Sequence, residues 1–143
     1  MKKLLGLDLG DAWVGVAISD FLKIVAKPLK SYATSSFDEA LLQLLSQESI
    51  ETIVVGLPVT VGGGTDSDQT KKIRLEAKRL GSLVAERGFS QIQWVLWDER
   101  LSSKRAAALS KGPQSKEEKL MQHAKAAAFV LQNYLDHLSF IAS

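Results

Sequence analysis

Thr52 to Leu57 (TIVVGL) is an unbroken apolar, largely β-branched run closed by Pro58. A strand with one wet face alternates polar and apolar residues. A strand without a polar face is covered on both sides, as in the parallel part of an α/β sheet. This run therefore demands helices above and below it, and the flanking sequence supplies them. Ser36-Phe37-Asp38-Glu39 fits a capping box, with Ser36 as N-cap and Glu39 reaching back. Phe37, Ala40, Leu41 and Leu44 give the apolar stripe of the helix that follows. A second, longer helix is predicted from Asp66 to about Arg87, with Ile73, Ala77, Leu80 and Val84 on its core stripe.

The remaining strands read in the same way. Lys3–Leu9 and Trp13–Ile18 (WVGVAI, bulky alternating with small) are joined by the short link Gly10-Asp11, which predicts an antiparallel hairpin. Ile24 to Tyr32 is a weaker strand, placed at an edge by Pro28, which has no N–H for a ladder. Ile92–Trp97 is the fifth strand. Ser102 caps a short helix through Leu109, broken by Gly112-Pro113, and a last helix runs from Lys116 to Leu138 over Leu120, Ala124, Ala127, Leu131, Leu135 and Leu138. The order βββαβαβαα predicts a five-stranded mixed sheet, three antiparallel strands extended by two parallel ones through right-handed crossovers. No repeat or linker divides the chain, so residues 1–143 are expected to form one domain.

Composition removes several function classes. There is no cysteine, which excludes disulfides, thiolate catalysis and cysteine-held metal. No apolar run approaches the ~18 residues of a membrane span, and Asp8 interrupts the N-terminal apolar run too early for a signal peptide. The expectation is a cytoplasmic protein with no membrane partner. Residues 1–70 hold five Lys/Arg against nine Asp/Glu, and residues 71–143 hold thirteen against seven. A basic C-terminal half fits a polyanionic partner as well as it fits solvated helix faces.

Acidic residues stand at two strand ends: Asp8 in the first strand, and Asp98-Glu99 closing the fifth. If those strands run the same way, their carboxylates meet at the edge where α/β proteins place their sites. Clustered carboxylates suit Mg²⁺ or Mn²⁺, and two such ions ~4 Å apart clamp both the attacking and the leaving oxygen of a phosphodiester. Lys71, Arg74 and Lys78 share one stripe of the long helix, while Arg100, Lys104 and Arg105 follow the acidic pair; both groups are candidates for phosphate contacts. Gly62-Gly63-Gly64 lacks the lysine of a phosphate-binding loop and reads as a plain loop. Trp94 and Trp97, three apart in one strand, must face opposite sides, and His137 reads as a surface residue.

The segments LGLDLGDAWVGVAISD, IVVGLPVTVGGGT, WDERLSS and AAAFVLQNYLD together resemble the YqgF/RuvX family of pre-16S rRNA nucleases, once described as Holliday-junction resolvase-like. The resemblance covers nearly the whole chain. It implies a ribonuclease H-like fold, metal-dependent phosphodiester hydrolysis, and 5′-end maturation of 16S ribosomal RNA. It makes Asp8 the first catalytic carboxylate and Glu99 the second, with Asp98 sharing that role.

The sequence departs from the family pattern where a third carboxylate is usual. His123 stands there, in His123-Ala124-Lys125-Ala126-Ala127; Met121 replaces a usual lysine, Trp13 a usual arginine, and Leu101-Ser102-Ser103 a Leu-Thr-Thr. The resemblance then makes Asp8, Glu99 and His123 the metal ligands. Imidazole favours Mn²⁺ over Mg²⁺ and adds the option of proton transfer. The readings that follow are a metal-dependent nuclease acting on ribosomal RNA precursor, an RNA-binding assembly factor with little or no turnover, and a junction resolvase. A monomer and a weak dimer both fit the sequence.

Overall fold

The computed structural model describes residues 2–58, 67–98 and 115–142. Its described elements are β1 (Lys3–Leu9), β2 (Trp13–Ser19), β3 (Ala26–Ala33), α1 (Phe37–Gln47), β4 (Ile50–Leu57), α2 (Asp68–Val84), β5 (Gln93–Asp98) and α3 (Lys116–Ala142). The strands form one sheet in the order β3-β2-β1-β4-β5. β1 pairs antiparallel with β2 and parallel with β4, and β4 pairs parallel with β5. The mixed sheet predicted from the element order is the one observed. The loop around Gly62–Gly64 and the short helix expected from Ser102 to Leu109 lie outside the described residues.

Two cores sandwich the sheet. On one side Leu5, Leu7, Val14, Val16, Ile53 and Val55 pack under α1 and α2, which contribute Phe37, Leu41, Ile73, Ala77 and Leu80. On the other side Leu4, Ala17 and Val54 pack against Ala127, Val130, Leu131 and Leu135 of α3. Every one of the six residues of TIVVGL is buried, as their lack of a polar face required. Trp94 joins the first core and Trp97 the second, so the two indoles do face opposite ways.

α3 reaches the backbone of the sheet because two positions beneath it have no side chain. A Cβ at Gly6 would stand 2.8 Å from the carbonyl oxygen of Ala127 and from the Leu131 Cβ. A Cβ at Gly15 would overlap the carbonyl of His123 outright. Only glycine permits so close an approach of helix to strand. The small residues in WVGVAI are therefore the seat of the last helix.

Some details differ from expectation. Ser36 precedes α1, but its hydroxyl donates to the Ala33 carbonyl rather than accepting from the first turn, so no capping box forms. A 3₁₀ turn at Thr34–Ser36 leads directly into the helix and takes its place. α2 starts later than expected, with Ser67 accepting from the Thr70 amide, and it ends at Val84. The chain after it widens into a turn closed by Gly88 at φ +100°. α3 continues one turn past Leu138, and Leu120 and Leu138 are half-buried rather than core. Pro28 is tolerated in β3 because that strand is an edge and its register shifts beside Ala17.

Candidate functional site

β1 and β4 run parallel, and so do β4 and β5, so Asp8 and Asp98 stand at the same end of the sheet. Alternation then decides which face each side chain takes. Leu5, Leu7 and Leu9 point to the α1/α2 core, whereas Leu4, Gly6 and Asp8 face α3. In β5, Val95 and Trp97 face α3 and Trp94 faces α2, which sends Asp98 to the side away from Asp8. Asp98 is thus at the right edge but on the opposite face. Glu99, Arg100, Lys104 and Arg105 lie outside the described residues.

His123 is brought to Asp8 by the glycine seat. Asp8 pairs across the ladder with Gly15, and Gly15 lies directly under the His123 backbone. The imidazole Nδ1 stands 3.7 Å from Asp8 Oδ2, with both side chains partly open to solvent. The Ser31 hydroxyl, in register with Gly15, donates to the Leu120 carbonyl and anchors the helix one turn earlier. The carboxylate of Asp8, within ion-pair distance of the imidazole, raises the His123 pKa above its ordinary value. Partial burial opposes that shift without cancelling it.

An ion with donors at ~2.1 Å can touch both atoms of this pair, since their separation is shorter than two such bonds end to end. A carboxylate oxygen with an imidazole nitrogen is also a donor set suited to Mn²⁺. Among the described residues no group of three or more such side chains is assembled.

The basic stripe has a different place. Lys71, Arg74 and Lys78 are exposed on α2, which belongs to the layer opposite α3. Its first turns nevertheless adjoin the end of β1: a cleft of about 600 Å³ is bounded by Leu9, Gly10, Asp11, Lys72 and Ile73. The Arg79 guanidinium is engaged by Asp38 of α1 and by Glu76, which ties α2 to α1. His137 is exposed, as expected, and its ring lies 5.1 Å from that of Trp97, which Tyr134 meets edge-on at 5.2 Å. Residue types alone did not mark Gly15 or Ser31 as site-building. The bulky–small alternation of β2 was the only trace of Gly15, and Ser31 in β3 left none.

Proteins of known sequence and structure resemble this chain over most of its length. A protein of Rubrobacter xylanophilus named "Putative pre-16S rRNA nuclease" is 36% identical over 135 residues, covering 94% of this chain and 92% of its own. Proteins of the same name from Onion yellows phytoplasma and Dictyoglomus turgidum are 36% and 32% identical, covering 94% and 96% of this chain and 89% and 96% of their own. Among solved structures, Thermus thermophilus RuvC in complex with a Holliday junction substrate superposes with a TM-score of 0.59 at 13% identity, covering 97% of this chain and 96% of that one. A second structure of Thermus thermophilus RuvC gives 0.58 at 11%, over 96% of each chain. At such identities the likeness concerns the fold, which is ribonuclease H-like. The family described as "RuvX: Holliday junction resolvase" matches residues 2–137. The chain belongs to the RuvX family.

Proposed function

We propose that this protein is a divalent-metal-dependent nuclease that hydrolyses phosphodiesters of ribosomal RNA precursor, in 5′-end processing of 16S rRNA. The observation that carries the reading is the convergence of Asp8 and His123, 3.7 Å apart at the carboxyl end of β1. The names of the relatives support the substrate class. Asp8 and His123 are the described residues that would hold the ion, and Glu99 is the third ligand we assign. Asp98 faces the other way, which favours Glu99 as the second carboxylate.

A bound Mg²⁺ or Mn²⁺ would activate water and neutralise charge on the phosphate under attack. The chain's own residues prepare that site. Asp8 supplies fixed negative charge, and Gly15 and Ser31 fix α3 so that the imidazole meets it. The neighbouring Asp8 carboxylate raises the His123 pKa, so ion binding at the imidazole competes with its protonation. Lys71, Arg74 and Lys78, with Arg100, Lys104 and Arg105, are assigned to the phosphate backbone.

The test is cleavage of a structured RNA carrying the 16S 5′ precursor, titrated with Mn²⁺ and Mg²⁺ beside a four-way DNA junction. Metal-dependent RNA product, absent in Asp8→Asn, is expected. Equal cleavage by Asp8→Asn would refute the mechanism. Salt-sensitive RNA affinity without product would assign the face to binding alone, and junction cleavage in preference to RNA would assign it to resolution.

A further inference from the structure

The cleft at the end of β1 has no part in the chemistry at Asp8. It lies on the α2 side of the sheet, where Leu9 points, whereas Asp8 faces α3. Its two walls are held in place. On one, Thr34 fixes the β1–β2 turn: its hydroxyl donates to the Gly10 carbonyl and its amide to the Ala12 carbonyl, both at 2.9 Å. The turn is also tight, since a Cβ at Gly10 would stand 2.6 Å from the Trp13 carbonyl oxygen. On the other wall, the Thr70 hydroxyl donates to the Pro58 carbonyl and docks the start of α2 on the end of β4. Further along that helix, Asp38 of α1 grips Arg79. A cleft with fixed walls loses little freedom when it binds.

α2 divides its exposed surface between two chemistries. Lys71, Arg74 and Lys78 form a purely cationic stripe. The flank that lines the cleft is mixed: Asp68, Lys72, Leu75, Glu76 and Arg79. Leu75 is 69% exposed, with Lys71 and Lys78 beside it on one side and Lys72 and Arg79 on the other. Leu9 and Ile73 lie buried at the base. The Arg79 charge is already neutralised by Asp38 and Glu76. That leaves Asp11 on the turn wall, and Asp68 and Lys72 on the helix wall. Among the described residues, no hydrogen bond or ion pair engages the side chains of these three. Two free carboxylates and one ammonium around an apolar base repel a phosphate. They suit a flat, neutral group that donates hydrogen bonds on one edge and accepts them on another.

We propose that the cleft is a specificity subsite for an unpaired guanine base of the RNA substrate. Guanine alone among the RNA bases presents two adjacent donors, N1–H and the N2 amino group, beside two acceptors, O6 and N7. Asp11 is assigned to the donor edge and Lys72 to the acceptor edge, from opposite walls, with Leu75 against the face of the ring. At about 600 Å³ the cleft falls within the ~300–1,000 Å³ of small-molecule sites and has room for the base with its ribose. Continuity with the ion site supports this occupant. Leu9 follows Asp8 directly in β1, so a strand with a phosphate at Asp8 rounds the end of β1 at the mouth of the cleft. Beyond Leu75, the cationic stripe of α2 is placed to hold that strand's backbone. Bases splayed out of single strands are what proteins read in RNA. This role rests on the chain acting on RNA, and it adds a base preference beside the cut.

Fluorescence anisotropy of the full chain with short single-stranded RNAs, free of divalent metal, tests it. An oligouridine carrying a single guanosine is compared with the same strand carrying adenosine or inosine, which lacks the N2 amino group. The guanosine strand is expected to bind about tenfold tighter, the discrimination of one good bidentate contact. Asp11→Asn and Lys72→Met should each abolish that preference, and Leu75→Ala should weaken the guanosine and inosine strands alike. All three positions are exposed, so Tm should not change. Equal affinity for the three strands would overturn the assignment, as would a guanine preference untouched by both Asp11→Asn and Lys72→Met. The two readings fail separately. Without nuclease activity the guanine preference would stand while no RNA is cut; without the subsite, metal-dependent cutting would stand and the preference would be absent.

Discussion

Replacing Gly15 by alanine adds one methyl group where α3 rests on β2. That methyl would overlap the His123 carbonyl and lie 2.7 Å from the Ala124 nitrogen. Both are backbone atoms, so no rotamer change relieves the contact, and the helix must retreat by about 1 Å or more to restore ordinary separations. Overpacking of this kind costs about 1–3 kcal/mol, and the top of that range applies because Ala124, Ala127, Leu131 and Leu135 lift together. For a chain of this length about 3 kcal/mol lowers Tm by roughly 6–12 °C. The same retreat widens the 3.7 Å gap between His123 and Asp8. Thermal unfolding, with Mn²⁺ affinity measured by calorimetry below the transition, is the assay. Loss of both stability and ion affinity is expected. A Gly15→Ala protein with unchanged Tm would refute the claim that helix and strand touch through backbone.

Three further outcomes follow from the same geometry. Gly81→Ala should raise stability by about 0.5–1 kcal/mol in denaturant titration, since a methyl in that helix interior meets only the Trp94 ring at 3.6 Å or more. His123→Asp should shift the metal preference of RNA cleavage from Mn²⁺ towards Mg²⁺ by replacing a nitrogen donor with a hard oxygen; an unchanged preference would remove His123 from the ion site. Asp38, hydrogen-bonded by Arg79, has its pKa held below the ordinary carboxylate value. Its contribution, screened by solvent to ~1 kcal/mol at most, is therefore present above pH ~4 and lost as pH falls through the lowered value. The Tm difference between wild type and Asp38→Asn should vanish in acid and persist at neutrality.

Much of the fold was legible because its strands and helices are strongly periodic. β1 has the bounds the sequence predicted, and TIVVGL required the two-sided burial that β4 displays. What the sequence could not reveal was contact made by absent side chains: Gly6 and Gly15 leave no hydrophobic signal, yet they place His123 over Asp8. The capping box failed for a local reason, since the 3₁₀ turn turned the Ser36 hydroxyl back to Ala33. Asp98 and Glu99 look equivalent as a dipeptide, and only strand alternation shows that Asp98 takes the opposite face from Asp8. The exposed residues Ile24 and Val25 were also hidden, because the sequence places Ile24 in a strand whereas the backbone there is held by Gln132, more than a hundred residues further along the chain.

The same separation has a consequence for the order of assembly. Asp8 belongs to the first strand and His123 to the last helix, so the chain must close a loop spanning most of its length before the pair can meet. During synthesis the β1–β2 hairpin and the β4 crossover form while α3 is still unmade. A half-built protein therefore displays Asp8 without its imidazole partner, and competence arrives in one step, when the terminal helix settles onto its glycines.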